Sequence, residues 1–129
     1  MPRPIHFEIQ AENVERAIGF YSELFGWTFK QWGQEKYWMV TTGEEGTPGI
    51  DGGLMPRPAP GGPAEMAAVN AFVCTIDVEN LDATLSKVVA LGGKVVVPRM
   101  TVPSVGHLAY SKDTEGNIFG TMQMDESAK

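Results

Sequence analysis

The sequence predicts an α+β protein built from two tandem copies of a β-α-β-β-β unit, and three observations support this prediction. Apolar and polar residues alternate at the start of the chain, and the same alternation returns after its middle. A stretch with helical spacing of apolar residues follows each alternating run. A constant shift of 67 positions carries Ile9–Val14 onto Ile76–Leu81 and Gly53 onto Gly120. Self-similarity at a fixed spacing indicates an internal duplication.

The first module, residues 1–55, contains every element of this unit in order. Residues 5–10 alternate with period two, which predicts a strand with one apolar face. Asn13 is a suitable N-cap for a helix that Gly26 ends. The apolar residues at helical spacing are Val14, Ala17, Ile18, Tyr21, Leu24 and Phe25. The stretches 27–32, 36–42 and 50–55 are predicted to be strands.

A linker is predicted at residues 56–69, between the two modules. Its first eight residues, PRPAPGGP, contain four prolines and two glycines, a composition that excludes a helix or a central strand. The second module, residues 70–129, repeats the order. A strand at 70–77 precedes a helix that begins near Asn80 and ends at the GG pair 92–93, and KVVVP, GHLAYSKD and NIFGTMQM supply further strands. The apolar face of this helix is predicted to hold Leu81, Leu85, Val88 and Leu91. Each copy is too small to bury its own sheet face well, so residues 1–129 are expected to form one domain.

Composition and charge exclude several classes of function. The single cysteine, Cys74, permits neither an intrachain disulfide nor a CxxC motif. A net charge of −6 without a Lys/Arg cluster argues against nucleic acid and anionic membranes, and suits a cationic ligand. No stretch approaches the roughly 20 apolar residues of a membrane span. The N-terminus lacks the pattern of a signal peptide, so a cytoplasmic location is expected.

The sequence resembles the vicinal oxygen chelate superfamily, which contains glyoxalase I, bleomycin-resistance proteins and extradiol dioxygenases. The resemblance rests on IHFEIQAENVERAIGFYSELFGW in the first half, and on DVENLDATLSKVVALGGKVVVP and AYSKDTEGNIFGTMQ in the second. It implies the glyoxalase/bleomycin-resistance fold, in which two modules form a cupped, mostly antiparallel sheet with helices outside and a ligand pocket inside. It also implies a homodimer. Many members hold a divalent metal through four His, Glu or Gln side chains from the first and last strand of each module.

The four metal-ligand positions implied by this resemblance fall on His6, at or near Gly53, Val73 and Gly120. Only His6 has a side-chain donor, and a single imidazole is too few ligands for a protein-bound divalent ion. We therefore predict no metal cofactor. The alternative is a rebuilt site formed by His6, Glu8 and His107. Same-face neighbours on a strand lie roughly 6.5 Å apart, so such a site would need favourable rotamers.

The face of His6 is expected to form the inside of the cup. The predicted pocket-lining residues are His6, Glu8, Gln10, Trp38, Gly53, Val73, Thr75, His107, Gly120 and Met122. Tyr37 is open as an alternative to Trp38, and the face used by His107 is open. Gly53 and Gly120 either widen the pocket or mark strand bends. His6 is either a hydrogen-bonded pocket residue or a polar anchor or general base, and Glu8 is expected to favour its protonated form.

Three functions are compatible with these residues. The first is a metal-independent binder of a small organic molecule, comparable with drug-sequestering members of the superfamily. The second is a metal-dependent lyase or isomerase of the glyoxalase type, with a rebuilt site around His6. The third is a non-catalytic dimeric accessory protein whose cup is unused. The sequence leaves open which ligand binds, whether a reaction is catalysed, and whether the modules pair within a chain or across a dimer.

Overall fold

A computed structural model describes residues 2–58 and 72–129. The order β-α-β-β-β occurs twice in it, which confirms the predicted α+β class. The elements are β1 (Pro4–Ala11), α1 (Val14–Phe25), β2 (Thr28–Gln31), β3 (Trp38–Thr41), β4 (Gly52–Pro56), β5 (Val73–Asp77), α2 (Leu81–Ala90), β6 (Lys94–Val102), β7 (Gly106–Lys112) and β8 (Ile118–Met124). Neither of these two helices has the length and hydropathy that a membrane crossing requires. The predicted linker lies outside the described residues from position 59 onward, and its first residue, Pro56, is the last residue of β4.

The chain divides into two compact units. The first-half unit is His6–Phe72, and the second-half unit is Val73–Lys129 together with Met1–Ile5. The division differs from the expected modules at the N-terminus, because the first five residues group with the second half. Within the second-half unit, the Arg3 carbonyl accepts a hydrogen bond from the N–H of Asp77 at 3.1 Å.

The first-half unit is a four-stranded sheet in the order β2-β3-β4-β1, with α1 against one face. β1 and β4 are parallel, whereas the other two pairs are antiparallel. The period of two in β1 places alternate side chains in the core, as predicted. The core consists of Phe7, Ile9, Ala11, Val14, Val40 and Leu54. Leu24 and Phe25 were expected on the buried face of α1, but each is 57% exposed, because the helix contacts the sheet through its earlier turns.

The second-half unit has the order β5-β8-β7-β6, again with one parallel and two antiparallel pairs. Val78, Leu81 and Ala109 form its core, with Leu85 packed against them. Leu91 was expected on the buried face of α2 but lies beyond its last turn and is exposed. β6 continues past Pro98 to Val102, further than predicted. A proline is tolerated there because β6 has a strand on one side only within this unit.

Both helices begin with the same cap. The side-chain oxygen of Asn13 accepts the N–H of Arg16 at 2.9 Å, and Asn80 accepts the N–H of Ala83 at the same distance. Each bond satisfies a donor that a helix start otherwise leaves unpaired. α1 ends at Gly26, whose φ of 74° is the left-handed conformation that glycine adopts easily. The predicted helix starts and the end of α1 are therefore confirmed.

The pairing registers of the two units are the same under the shift seen in the sequence. Glu8 pairs with Gly53 across β1 and β4, and Thr75 pairs with Gly120 across β5 and β8. The shift of 67 positions carries the first pair onto the second. The duplication thus extends from the sequence to the hydrogen-bonded alignment of the strands.

Candidate functional site

The site begins on β1, where alternation separates two faces of the strand. Phe7 and Ile9 point into the core under α1. His6 and Glu8 therefore point to the opposite face of the sheet. His6 is half-buried, and Glu8 is only 8% exposed, which is unusual for a carboxylate. A buried carboxylate requires hydrogen-bond partners.

Tyr37 supplies one of these partners. Trp38 and Val40 pack against the core, so Tyr37, one residue before Trp38, lies on the face of His6. Its hydroxyl oxygen is 2.7 Å from Nε2 of His6, and it donates to Oε2 of Glu8 at 3.4 Å. A phenol has one proton, so this arrangement is satisfied when Nε2–H of His6 donates to the phenol oxygen. We call these three residues, His6, Glu8 and Tyr37, the polar cluster.

Gly53 provides the space that the Tyr37 ring occupies. It lies on β4, paired with Glu8 on one side and with Met39 on the other. A Cβ on Gly53 would overlap the hydroxyl and ring of Tyr37. The missing side chain therefore leaves room for the Tyr37 ring, whose hydroxyl contacts His6. Gly53 was expected to be a bare pocket floor or a bend, but the structure covers it with an aromatic ring.

Burial sets the protonation of the cluster. Desolvation lowers the pKa of His6, and this effect exceeds the opposing influence of the Glu8 and Asp51 carboxylates. Glu8 favours the protonated imidazole, as expected, but desolvation outweighs its influence and the net shift is downward. Burial, and next the charge of Glu8, raise the pKa of Tyr37. At neutral pH the cluster therefore holds a neutral imidazole and a protonated phenol. Together with the acidic side chain of Glu8, they can accept hydrogen bonds and attract a positive group.

The equivalent face of the second-half unit lacks ionisable groups at the matching positions of β5. Val73 stands at the position of His6, and Thr75, which is buried, stands at that of Glu8. A Cβ on Gly120 would lie 3.1 Å from both Oγ1 of Thr75 and the ring of Tyr110. Tyr110, which pairs with Gly120 from β7, therefore lies beside this glycine, whereas Tyr37 occupies the space over Gly53.

The remaining predicted lining residues lie in different places. Trp38 packs against the core of the first-half unit. Tyr37, rather than Trp38, lies on the face of His6. Gln10 is exposed, and Met122 is half-buried between β5 and β7. His107 shares a strand face with Ala109, which packs against α2, so it lies on the helix side of its sheet. Its ring contacts Asp125, with Nε2 at 3.2 Å from Oδ2.

The residues present do not fit the metal site that the resemblance implies. Of the four implied positions, only His6 carries a donor, and Tyr37 fills the space over Gly53. Within residues 2–58 and 72–129, no group of three or more His, Cys, Asp or Glu side chains could hold a metal ion. The alternative set of His6, Glu8 and His107 therefore does not assemble as a ligand group among these residues.

Comparison with known proteins establishes the family. A sequence profile of the Glyoxalase/Bleomycin resistance protein/Dioxygenase superfamily matches residues 3–120. The chain belongs to this superfamily. This result confirms the resemblance and the fold class predicted from the sequence.

Two curated proteins and one solved structure illustrate the degree of similarity. "Putative glyoxylase CFP32" of Mycobacterium tuberculosis is 29% identical over 119 residues, which are 90% of this chain and 42% of that protein. The chain thus spans less than half the length of this relative. A "Glyoxylase-like domain-containing protein" of Didymella fabae is 31% identical over 111 residues, covering 85% of this chain and 84% of that protein. The crystal structure of hypothetical protein BH1468 from Bacillus halodurans C-125 has a TM-score of 0.66 at 10% identity, covering 99% and 98% of the two chains. This last similarity concerns the fold alone.

Proposed function

We propose that the chain binds a small organic molecule at the polar cluster without a metal ion. The observation that carries the proposal is the hydrogen-bonded set of His6, Tyr37 and Glu8 on the sheet face opposite α1. The phenol of Tyr37 stands over Gly53, where the resemblance places a ligand side chain in metal-binding relatives. A preorganised polar group of this kind fixes the orientation of a bound molecule without a cation.

The charges of the site favour a ligand that carries a positive, hydrogen-bond-donating group. Glu8 is a buried carboxylate, and Asp51 is close enough to influence the pKa of His6. Burial keeps His6 neutral, so it adds no positive charge that would repel a cation. A charge-assisted hydrogen bond to a buried carboxylate is stronger than a neutral one. An organic amine satisfies these conditions better than an organic acid.

Three probes with the same aromatic body test this preference: benzylamine, benzyl alcohol and sodium benzoate. Each is titrated into 15N-labelled protein in buffer with a chelator, and chemical shifts are followed by NMR. Benzylamine is expected to shift signals of residues 6–8 and 37, with benzyl alcohol weaker. Tyr37→Phe and Glu8→Gln should weaken benzylamine binding about tenfold, since a hydrogen bond to a charged group contributes about 1.5–3 kcal/mol.

The matched control is Glu23→Gln, which removes a carboxylate from the exposed side of α1 and should leave the affinity unchanged. Equal loss in the control would mean that only overall charge matters and would overturn the proposal. A second contradictory result is metal retention. Near-stoichiometric zinc, nickel, manganese or iron that survives desalting, and is lost on His6→Ala, would make His6 a working metal ligand.

A further inference from the structure

We propose that a second site, at the carboxyl end of β1, binds an aromatic carboxylate. A cavity of about 400 Å³ opens there between the end of β1, the first two turns of α1 and the residue that follows β4. Its side chains include Gln10, Arg16, Phe20, Tyr21 and Arg57. The volume falls within the range of small-molecule sites in proteins. All of these residues belong to the first-half unit.

Arg57 is the strongest indication of an anionic ligand. Its backbone N–H donates to the Ala11 carbonyl at 3.0 Å, which fixes the residue beside the end of β1. Its side-chain Nε is buried and has no hydrogen-bond partner within the described ranges 2–58 and 72–129. Native proteins rarely leave a buried donor unpaired, and a charged donor is the most costly case. A bound carboxylate supplies the missing acceptor.

Arg16 places a second guanidinium on the same cavity. Among the described residues, neither Arg16 nor Arg57 lies within ion-pair distance of a carboxylate. Glu12 also lines the cavity, so two positive groups face one negative group. The proposal does not rest on the backbone N–H groups at the start of α1, because the Asn13 side chain already accepts the N–H of Arg16. Guanidinium groups match the planar geometry of a carboxylate and can bind it through paired hydrogen bonds.

Two aromatic rings indicate what the carboxylate is attached to. Phe20 is 60% exposed, and its ring meets that of Tyr21 edge-to-face, with centroids 5.2 Å apart. Tyr21 is held in turn by stacking on Trp27, at 5.3 Å and 11° between planes. Such rings offer an apolar wall beside the guanidinium groups, which bare phosphate cannot use. The site therefore suits an aromatic carboxylate better than an inorganic anion.

This site does not depend on the polar cluster. The cluster presents a carboxylate and favours amines, whereas the cavity presents two arginines and favours acids. Loss of amine binding at the cluster should leave carboxylate binding at the cavity intact, and the reverse. The two proposals can thus fail separately.

The test is an NMR titration of 15N-labelled protein with sodium benzoate and, separately, with inorganic phosphate, at constant ionic strength. Benzoate is expected to shift signals of residues 9–17, 20, 21 and 57, and to bind more tightly than phosphate. Arg16→Gln and Arg57→Gln should each weaken benzoate binding at least fivefold. Lys30→Gln, which removes an exposed positive charge from β2, should leave it unchanged.

Two further results separate specific from general effects. Arg57→Lys keeps the charge but removes the fork of donors, so it should recover only part of the affinity. This variant also keeps the test valid if Arg57→Gln does not fold. The proposal is overturned if benzoate shifts no signals at the cavity, if phosphate binds as tightly, or if Lys30→Gln loses as much affinity as the arginine variants.

Discussion

The two halves of the molecule share a backbone plan but differ in the chemistry they place on it. In each unit, one strand residue pairs with a glycine that lies next to a tyrosine ring: Glu8 with Gly53 and Thr75 with Gly120. The first-half unit adds His6 and a buried carboxylate at this place, whereas the second-half unit has valine and threonine. The strand pairing is thus the same in both units, whereas the ionisable side chains at these two positions of β1 have no ionisable counterpart in β5.

This difference separates the residues that both copies of the fold share from those that only one copy carries. The N-caps, the core faces and the strand registers occur in both halves, as a requirement of folding predicts. The polar cluster lies in the first-half unit, and Val73 and Thr75 stand at the positions in β5 that match His6 and Glu8. A buried carboxylate and a neutralised imidazole reduce stability unless their hydrogen bonds offset the desolvation, and this cost is one reason for placing the proposed binding site there.

The largest difference between the halves is expected at Gly52. Its equivalent in the second half is Phe119, but a Cβ on Gly52 would overlap the carbonyl oxygen and ring of Phe7. A backbone atom cannot move aside as a side-chain end can. Gly52→Ala should therefore lower the free energy of unfolding by about 2–3 kcal/mol, the upper range for overpacking. Urea unfolding followed by circular dichroism measures this change.

Gly19→Ala is the matched control for that substitution. Gly19 lies inside α1, and a Cβ there meets nothing within 4 Å. The control should raise stability by roughly 0.8–1 kcal/mol, since alanine is the better helix former. Similar stability changes for Gly52→Ala and Gly19→Ala would contradict the close contact between Gly52 and Phe7.

The N-caps should show equal effects in the two halves. Asn13→Ala and Asn80→Ala each remove one hydrogen bond of 2.9 Å at a helix start. Each should cost about 1 kcal/mol of unfolding free energy in the same urea experiment. Asn13→Ser and Asn80→Ser keep a capping oxygen and should recover most of the loss. A loss of unfolding free energy in only one half would show that the two caps contribute unequally to stability although their geometry is the same.

The smallest expected effect is on the pH dependence of stability, which is expected to involve a different pH range in each half. Burial lowers the pKa of His6, so below pH 6.5 the unfolded chain binds a proton that the folded chain resists. The stability tied to neutral His6 is complete above 6.5 and is lost as the pH falls toward the pKa of the folded protein. In the second half, the Ser127 hydroxyl and next His107 hold the pKa of Asp125 below its ordinary value of 3.8. Its contribution is present above 3.8 and is lost in stronger acid.

Melting temperatures from about pH 8 to about pH 3 test these two ranges. His6→Gln should flatten the curve between neutral and mildly acidic pH and leave the acid end unchanged. Asp125→Asn should change the acid end alone. If His6→Gln leaves the slope below pH 6.5 unchanged, His6 is not held neutral in the folded protein.

Most of the fold could be predicted from the sequence, because its strands and helix ends are determined by residues close to one another in the chain. The alternation in β1, the two asparagine caps and the left-handed Gly26 are each determined by neighbouring residues. The exposed Leu24, Phe25 and Leu91 were misassigned because helical spacing marks an apolar stripe but not how far along the helix the sheet reaches.

The site was less predictable, because it depends on contacts between distant parts of the chain. The sequence leaves Tyr37 and Trp38 as alternatives for the site face. In the structure Val40, two residues beyond Trp38, lies in the core, so period two places Trp38 on the core side. The prolines on both sides of Arg57 predict a linker at this position. The lowered pKa of His6 could not be predicted either, because it depends on burial rather than on the neighbouring Glu8.

The placement of the aromatic residues has a consequence for spectroscopy. All three tryptophans, Trp27, Trp32 and Trp38, lie in the first-half unit, and the second-half unit contains none. Intrinsic tryptophan emission therefore monitors one half of the duplication, while circular dichroism senses both. Unfolding curves that coincide for the two signals would mean that the halves unfold as one cooperative unit. Curves that separate would measure the stability of each half within the intact chain.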